Sequence, residues 1–506
     1  MVWDCSKKNL VFDMIKESVK KLGKYSLEIK FKYRPEPKTG LLRIKKYHID
    51  MYFFLPVSLG VNRKNYTKMD FYREINSYLK IDPPKVLLAD LLEAKDDISL
   101  QLKLAFQNYN PEDEESFENL DTLLKIYVNI VKKSVKRELR GVRKVGDEQE
   151  KNRLAQRFIS NFTLGLEKFR QIEQKYCKDD FAQSEGKRVF DYADEYISTL
   201  YSKYLYHVWQ ILENFDSPES HQTKEILKDG IYKEREYKKK KNYPFAEPKD
   251  QSKENEKFLF RWEMIKNFIN NKLILTTRFD RENKWMIQFY YSLAAGIAMI
   301  FATGIAFYYN QKFGNFTIRF FVILVISYMF KDRIKDWIKD LINYLLKKET
   351  YDHTINIYDD NQHMLGNMSQ GFDFVPKRNL PDDILKVRNS KHQTDVEDNS
   401  TERVMHYKSK IKLNTSKLYK FYKGINLRGV NAVTYFNTSP LLMRMEQPDT
   451  NILLMDDDKQ FAIYKSEKVY HINMIMVYDD GKNKQYRRYR IVLNRNGIKR
   501  LKKISL

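Results

Sequence analysis

Residues 25–34 alternate strictly, with Tyr25, Leu27, Ile29, Phe31 and Tyr33 on one side of an extended chain and Ser26, Glu28, Lys30, Lys32 and Arg34 on the other. A period of two predicts a half-buried strand. The segment from Pro35 to Gly40 breaks the pattern, and a second run carries Tyr47, Ile49, Met51 and Phe53 on one face as far as Pro56. The two runs read as an antiparallel hairpin, preceded by a helix-like stretch at the start of the chain. Thr67, with Asp70 in the capping-box position, predicts a helix to about Leu79. Pro83 and Pro84 close an N-terminal α+β module over 1–88.

From residue 89 the period lengthens. Phe117, Leu120, Leu124, Tyr127, Val128, Val131, Val135 and Leu139 fall three or four apart, as do Leu154, Phe158, Phe162, Leu166, Phe169 and Ile172. This predicts several packed amphipathic helices over 89–228. Segment 229–256 is polar, highly charged and contains Pro244 and Pro248, which predicts a charged linker.

Residues 286–309 carry no charged side chain; as a helix they would reach about 36 Å, more than the roughly 30 Å hydrocarbon core of a bilayer. A shorter apolar run, 313–330, follows a brief polar connection, with Arg319 near its outer end. The pair predicts a two-helix transmembrane hairpin inside a 257–348 unit with flanking amphipathic helices. Aromatics gather at its edges (Trp285, Tyr290, Tyr291, Tyr308, Tyr309), as at membrane interfaces. Lys257, Arg261, Lys266, Lys272, Arg278, Arg281 and Lys284 precede it, Lys331, Arg333, Lys335, Lys339, Lys347 and Lys348 follow it, and Lys312 alone lies in the turn. The positive-inside tendency then puts both soluble parts and both termini in the cytoplasm, at a multi-pass inner (plasma) membrane.

Beyond 348 come a predicted mobile loop, 378–402, and short strands around 404–413, 432–436, 452–455, 461–464, 471–478 and 486–493, the last two flanking Asp479, Asp480 and Gly481. They predict a β-rich C-terminal domain over 349–506. The expected fold class is therefore a multidomain α+β membrane protein.

Composition sharpens this picture. The 506 residues include 91 Lys and Arg against 67 Asp and Glu, a net charge of +24, and the mean hydropathy of −0.63 is that of a soluble chain despite the apolar hairpin. Two cysteines fit a reducing compartment, the N-terminus lacks the apolar core of a signal peptide, and the abundance of Lys, Ile, Asn and Tyr points to a bacterial, AT-rich genome.

Candidate chemistry is sparse. No phosphate loop, dinucleotide fingerprint, zinc-type spacing or close histidine pair occurs, so no catalytic, cofactor or metal residues are assigned and the chain is not expected to be an enzyme. His48 and Asp50 share a strand face; Glu28-Ile29-Lys30 matches half of a metal-dependent nuclease motif; Asp456–Asp458 form an acidic triplet in a turn. Basic clusters are better candidates. Lys132, Lys133, Lys136, Arg137, Arg140, Arg143 and Lys144 make a cationic helix end. Lys238, Lys239, Lys240 and Lys241, with Arg487, Arg488, Arg490, Arg500, Lys502 and Lys503, are candidates for anionic lipid or, second, nucleic acid. Ala294, Ala298, Ala302 and Ala306 repeat every four residues and suit either packing within the hairpin or a homo-oligomer. The expected function is a membrane scaffold, sensor or effector that recognises a cytoplasmic protein partner. Its alternatives are an oligomerising, membrane-disrupting or pore-forming effector and a membrane-anchored nucleic-acid-binding protein or nuclease.

Overall fold

The computed structural model describes residues 15–33, 44–92, 97–176, 179–246, 253–280, 284–314, 317–347, 351–359, 362–391, 401–421, 427–455, 460–479 and 484–505. The chain is a mixed α and β, multidomain protein. Among the described residues its strands are β1 (Ile15–Leu22), β2 (Ser26–Tyr33), β3 (Ile44–Pro56), β4 (Ile75–Asp82), β5 (Thr276–Asp280), β6 (His353–Tyr358), β7 (Met364–Val375), β8 (Glu402–Asn414), β9 (Gly429–Asn437), β10 (Asp449–Met455), β11 (Phe461–Glu467), β12 (Tyr470–Asp479), β13 (Lys484–Asn494) and β14 (Gly497–Ile504). They form an eight-stranded antiparallel sheet, β14-β13-β12-β3-β8-β7-β6-β5, a four-stranded sheet, β1-β2-β9-β4, and a separate β10-β11 pair.

The two larger sheets share one core. Leu27, Ile29, Phe31 and Tyr33 of β2 are buried, as are Tyr47, Ile49, Met51 and Phe53 of β3. Their rings meet across the interface: Tyr33 with Tyr47 at 4.3 Å, Phe53 with Phe436 at 5.2 Å and Phe31 with Tyr478 at 6.2 Å between centroids. The alternation in β2 and β3 is thus correct, but the expected hairpin between them is not. β2 pairs with β1 and β9, and β3 with β12 and β8. Both inward faces are apolar because they face each other from opposite sheets; periodicity selects a face, not a neighbour.

The capping box is present: Thr67 Oγ1 accepts from the Asp70 backbone, whose carboxylate accepts from Thr67 N at 2.8 Å. The helix it starts, Lys68–Glu74, ends sooner than expected, because Ile75 to Asp82 pair with β9 as β4. The helix-like opening is likewise corrected from residue 15 onward, where β1 runs antiparallel to β2; residues 1–14 and the 35–40 break lie outside the described residues.

The helical region matches its periodicity. Helices Glu114–Lys144, Glu148–Tyr176 and Glu185–Leu212 pack through Leu120, Leu124, Val128, Phe158, Phe162 and Phe169. The expected linker is corrected: residues 229–240 belong to the helix Pro218–Lys240. Its charges are built into the bundle. Glu234 binds Arg170 at 2.6 Å, and Arg170 also bonds Asp194 at 2.9 Å and lies 3.4 Å from the Tyr237 ring centroid. High charge suggested disorder because the sequence does not display its pairing. Residues 247–252 lie outside the described ones.

Two helices, Lys284–Phe313 and Ile318–Lys347, lie side by side between β5 and β6. Gln288–Lys312 is the one helix among the described residues long and apolar enough to cross a membrane, and only 17 % of its apolar window is buried. The second helix is apolar to Phe330 and charged thereafter, so a two-span hairpin is not established. In the expected mobile loop, Asp382–Asn389 is a helix and Glu402 begins β8. The Asp456–Asp458 triplet and the Asp480–Gly481 turn lie outside the described residues, although β12 and β13 do pair as expected.

Candidate functional site

The outward positions of the four-stranded sheet are the polar half of its alternation: Glu28, Lys30 and Lys32 on β2, Lys80 and Asp82 on β4, Asn431 on β9. Part of this face looks at the helix Glu114–Lys144. There Lys132, Lys136 and Arg140 are spaced by four and Lys133 and Arg137 likewise, so all five side chains occupy one side of the helix. Between sheet and helix lies a cavity of about 340 Å³, lined by Lys30, Lys80, Lys85, Lys132, Lys133, Lys136, Arg137 and Arg140, with Asp82 as its one carboxylate.

That carboxylate is already engaged. Asp82 pairs with Lys32, and Lys133 Nζ donates to it at 2.8 Å. Other cations are held by neutral acceptors: Lys80 donates to Asn270 Oδ1 at 2.7 Å, Lys132 to Tyr196 OH at 2.7 Å and Arg137 to Val86 O at 2.8 Å. Among the described residues, Lys30, Lys136 and Arg140 have no carboxylate within ion-pair distance. Burial, then Lys132, Lys30 and Lys266, push Lys80 down to about 7. Burial, then Lys266, Lys136 and Lys203, push Lys132 down to about 8. Crowded cations in a partly desolvated cleft, with Glu28 and Glu263 acting on Lys136 and Lys132 only as their smallest influences, form an arrangement that a multiply charged anion would complement. Arg137 and Arg140 offer forked donors suited to phosphate or carboxylate oxygens.

The cationic helix end was visible in sequence; Lys30, Lys80 and Lys85 were not connected to it. Lys30 sat in plain view at a polar position of β2, but only the sheet-to-helix packing brings it to Lys133. Lys80 was hidden by the expectation of a helix ending at Leu79.

The other candidates scatter. Arg488 is fully buried, donating to Asn473 Oδ1 at 2.9 Å, to Val387 O at 3.3 Å and to Ser390 O. Arg490, 6 % exposed, donates to Lys391 O. The reading of both as a lipid or nucleic-acid surface is corrected, since alternate side chains of β13 point into the protein. Arg487 and Lys503 both bind Glu17, at 3.2 and 2.6 Å, while Arg500 and Lys502 are exposed. Lys238 is also corrected: it is buried, donates to Ser202 Oγ at 3.1 Å and lines an apolar cavity of about 700 Å³ with Trp262 and Leu259. Lys239 pairs with Glu236, and Lys240 and Lys241 are exposed.

Ala294, Ala298 and Ala302 are buried against the neighbouring helix, where Ser327 Oγ donates to Ala302 O at 3.2 Å; Ala306 is half-buried. The ladder therefore packs within the helix pair and is not free for a homo-oligomer. Asp50 is met by His406 Nε2 at 2.8 Å from β8, and not by His48. Glu28 accepts from Tyr435 OH at 3.4 Å, and Asp82, in register with Gly429 at the far end of β4, is no neighbour of it. Among the described residues no group of three His, Cys, Asp or Glu could hold a metal. No protein family, curated protein or solved structure matches the chain.

Proposed function

We propose that the chain is a membrane-anchored receptor whose body faces the cytoplasm and binds a soluble, multiply charged anion, a phosphorylated small molecule, in the cleft between the four-stranded sheet and the helix Glu114–Lys144. The observation that carries this reading is the lining itself: eight Lys and Arg around one carboxylate that is already paired. The cavity lies in the size range of small-ligand pockets. Support for anchoring comes from Gln288–Lys312, which leaves most of its apolar surface uncovered, and from the Ala ladder that lets the second helix pack closely beside it as a membrane hairpin. The lysines and arginines on both flanks favour a cytoplasmic body.

Calorimetric titration of the purified full chain with pyrophosphate and with nucleoside triphosphates tests the cleft. Saturable binding that weakens on K80M/K132M substitution is expected; absence of binding at low salt, or binding indifferent to that substitution, would sink the idea.

A further inference from the structure

The β10-β11 pair stands apart from both sheets. Its two faces are equally apolar: Ile452, Leu454 and Tyr464 on one, Leu453, Met455, Phe461 and Ile463 on the other, all exposed, with Phe461 at 72 % and Ile463 at 69 %. A two-stranded ribbon is marginal in water by itself, and an apolar patch of this size marks a contact surface.

Topology places its root. In the eight-stranded sheet β5 finishes and β6 begins toward the side on which β12 begins, but the register carries Asp280 through Thr354, Ser369 and Lys410 to the level of His48, whereas Asn473 near the start of β12 pairs with Phe54. The apolar helix pair leaves from β5 and returns to β6; the β10-β11 ribbon leads into β12. Among the described residues these two exposed apolar elements therefore leave toward the same side of one sheet, four strands apart, with the root of the ribbon about nine residues further along the strand direction than the root of the helix pair. That side is also basic. Lys24 lies beside the β13-β14 turn, and Arg444, Lys468, Arg495, Lys499 and Arg500 surround the root of the ribbon, all exposed. Of the acids near them, Glu446 and Glu467 are held by Lys468 and by Lys499, and Asp449 stands opposite Glu467 at the base of the ribbon.

We propose that the β10-β11 ribbon is a second membrane contact, lying in the headgroup–acyl boundary of the anionic leaflet in which the helix pair is anchored. Apolar surface enters the boundary while the surrounding lysines and arginines meet lipid phosphates. This contact rests on the anchored reading of Gln288–Lys312.

The test uses the full chain with Cys5 and Cys177 replaced by Ser, reconstituted into vesicles containing phosphatidylglycerol. An environment-sensitive fluorophore is placed, one variant at a time, by Leu453→Cys, Ile463→Cys, Ile300→Cys in the apolar helix and Glu115→Cys in the helical bundle. Quenching by spin-labelled lipid at positions 453 and 463 should exceed that at 115 by roughly twofold or more, and should fall in zwitterionic vesicles. Quenching at 453 and 463 no greater than at 115 overturns the ribbon contact; a blue shift without lipid quenching does so as well, by showing cover from a second copy. Position 300 reads the anchor separately: no quenching there overturns anchoring, whereas quenching at 300 alone leaves anchoring intact and removes the ribbon.

Discussion

Two basic regions of this protein carry similar sequence signals and opposite physics. Behind β13, Arg488 and Arg388 are fully buried and engaged: Arg488 on Asn473 Oδ1 and backbone carbonyls, Arg388 on Glu402 at 2.6 Å, with both partners of that pair almost inaccessible. In the cleft, Lys30, Lys80, Lys132, Lys136 and Arg140 surround one carboxylate that other lysines already hold. The first region uses cations as struts for the Asp382–Asn389 helix; the second gathers them on one cleft wall with a single carboxylate among them. What distinguishes a structural cation from a recognising one is where its counter-charge sits, and that is a property of packing.

The contrast makes ordered predictions. Arg388→Met, which leaves Glu402 buried without a partner, should cost about 3–5 kcal/mol in chemical denaturation, and R388M/E402Q should recover much of it. A small loss from R388M would show that this arginine is no strut. In the cleft, K80M/K132M should weaken pyrophosphate binding about 10- to 100-fold, from the loss of charge-assisted hydrogen bonds, while stability moves by less than about 1 kcal/mol. A large stability loss with unchanged binding would put the cleft in the same class as the wall behind β13.

Proton linkage sharpens the difference further. Lys80 is held near 7, below its ordinary 10.5. The folded state therefore binds fewer protons than the unfolded state between those values, so this lysine costs stability at pH 7 and below, and the cost fades as pH rises toward 10.5. An anion reverses the shift. Binding of a sulfated probe, whose charge is constant over this range, should tighten several-fold from pH 9 to pH 6 with proton uptake near pH 8, measured by calorimetry in buffers of different ionisation enthalpy; K80M should flatten the profile. The smallest effect belongs to Lys240→Ala at the exposed helix end, which should change stability by no more than about 0.5 kcal/mol.

The sequence disclosed local geometry well. Alternation located β2 and β3, spacing by three and four located the bundle, and Thr67 with Asp70 located a helix start. Non-local choices stayed hidden. Glu28, Lys30 and Lys32 show which face of β2 is polar, but nothing near them states that β9 and the helix Glu114–Lys144 will be the neighbours. Lys80 belongs to a segment that suits a helix until β9 offers it a ladder. The charges at Glu234 and Lys238 look solvated because Arg170 and Ser202, which receive them, are distant in sequence. The cleft was half legible for this reason: its helix side is contiguous in the chain, its sheet side is assembled from strands far apart.

The place of β3 has a temporal consequence. Its neighbours in the sheet are β8 and β12, so the strand made within the first 56 residues waits for partners that begin at Glu402 and Tyr470. At 5–20 residues per second a ribosome takes about 20–70 s to cover that gap. Within it the helical bundle is completed and the apolar helix Lys284–Phe313 emerges, while two unpaired edges of β3 remain available for wrong partners. A nascent chain of this design completes its helical bundle before its two sheets can close on each other, and β3 stays open at both edges throughout that interval.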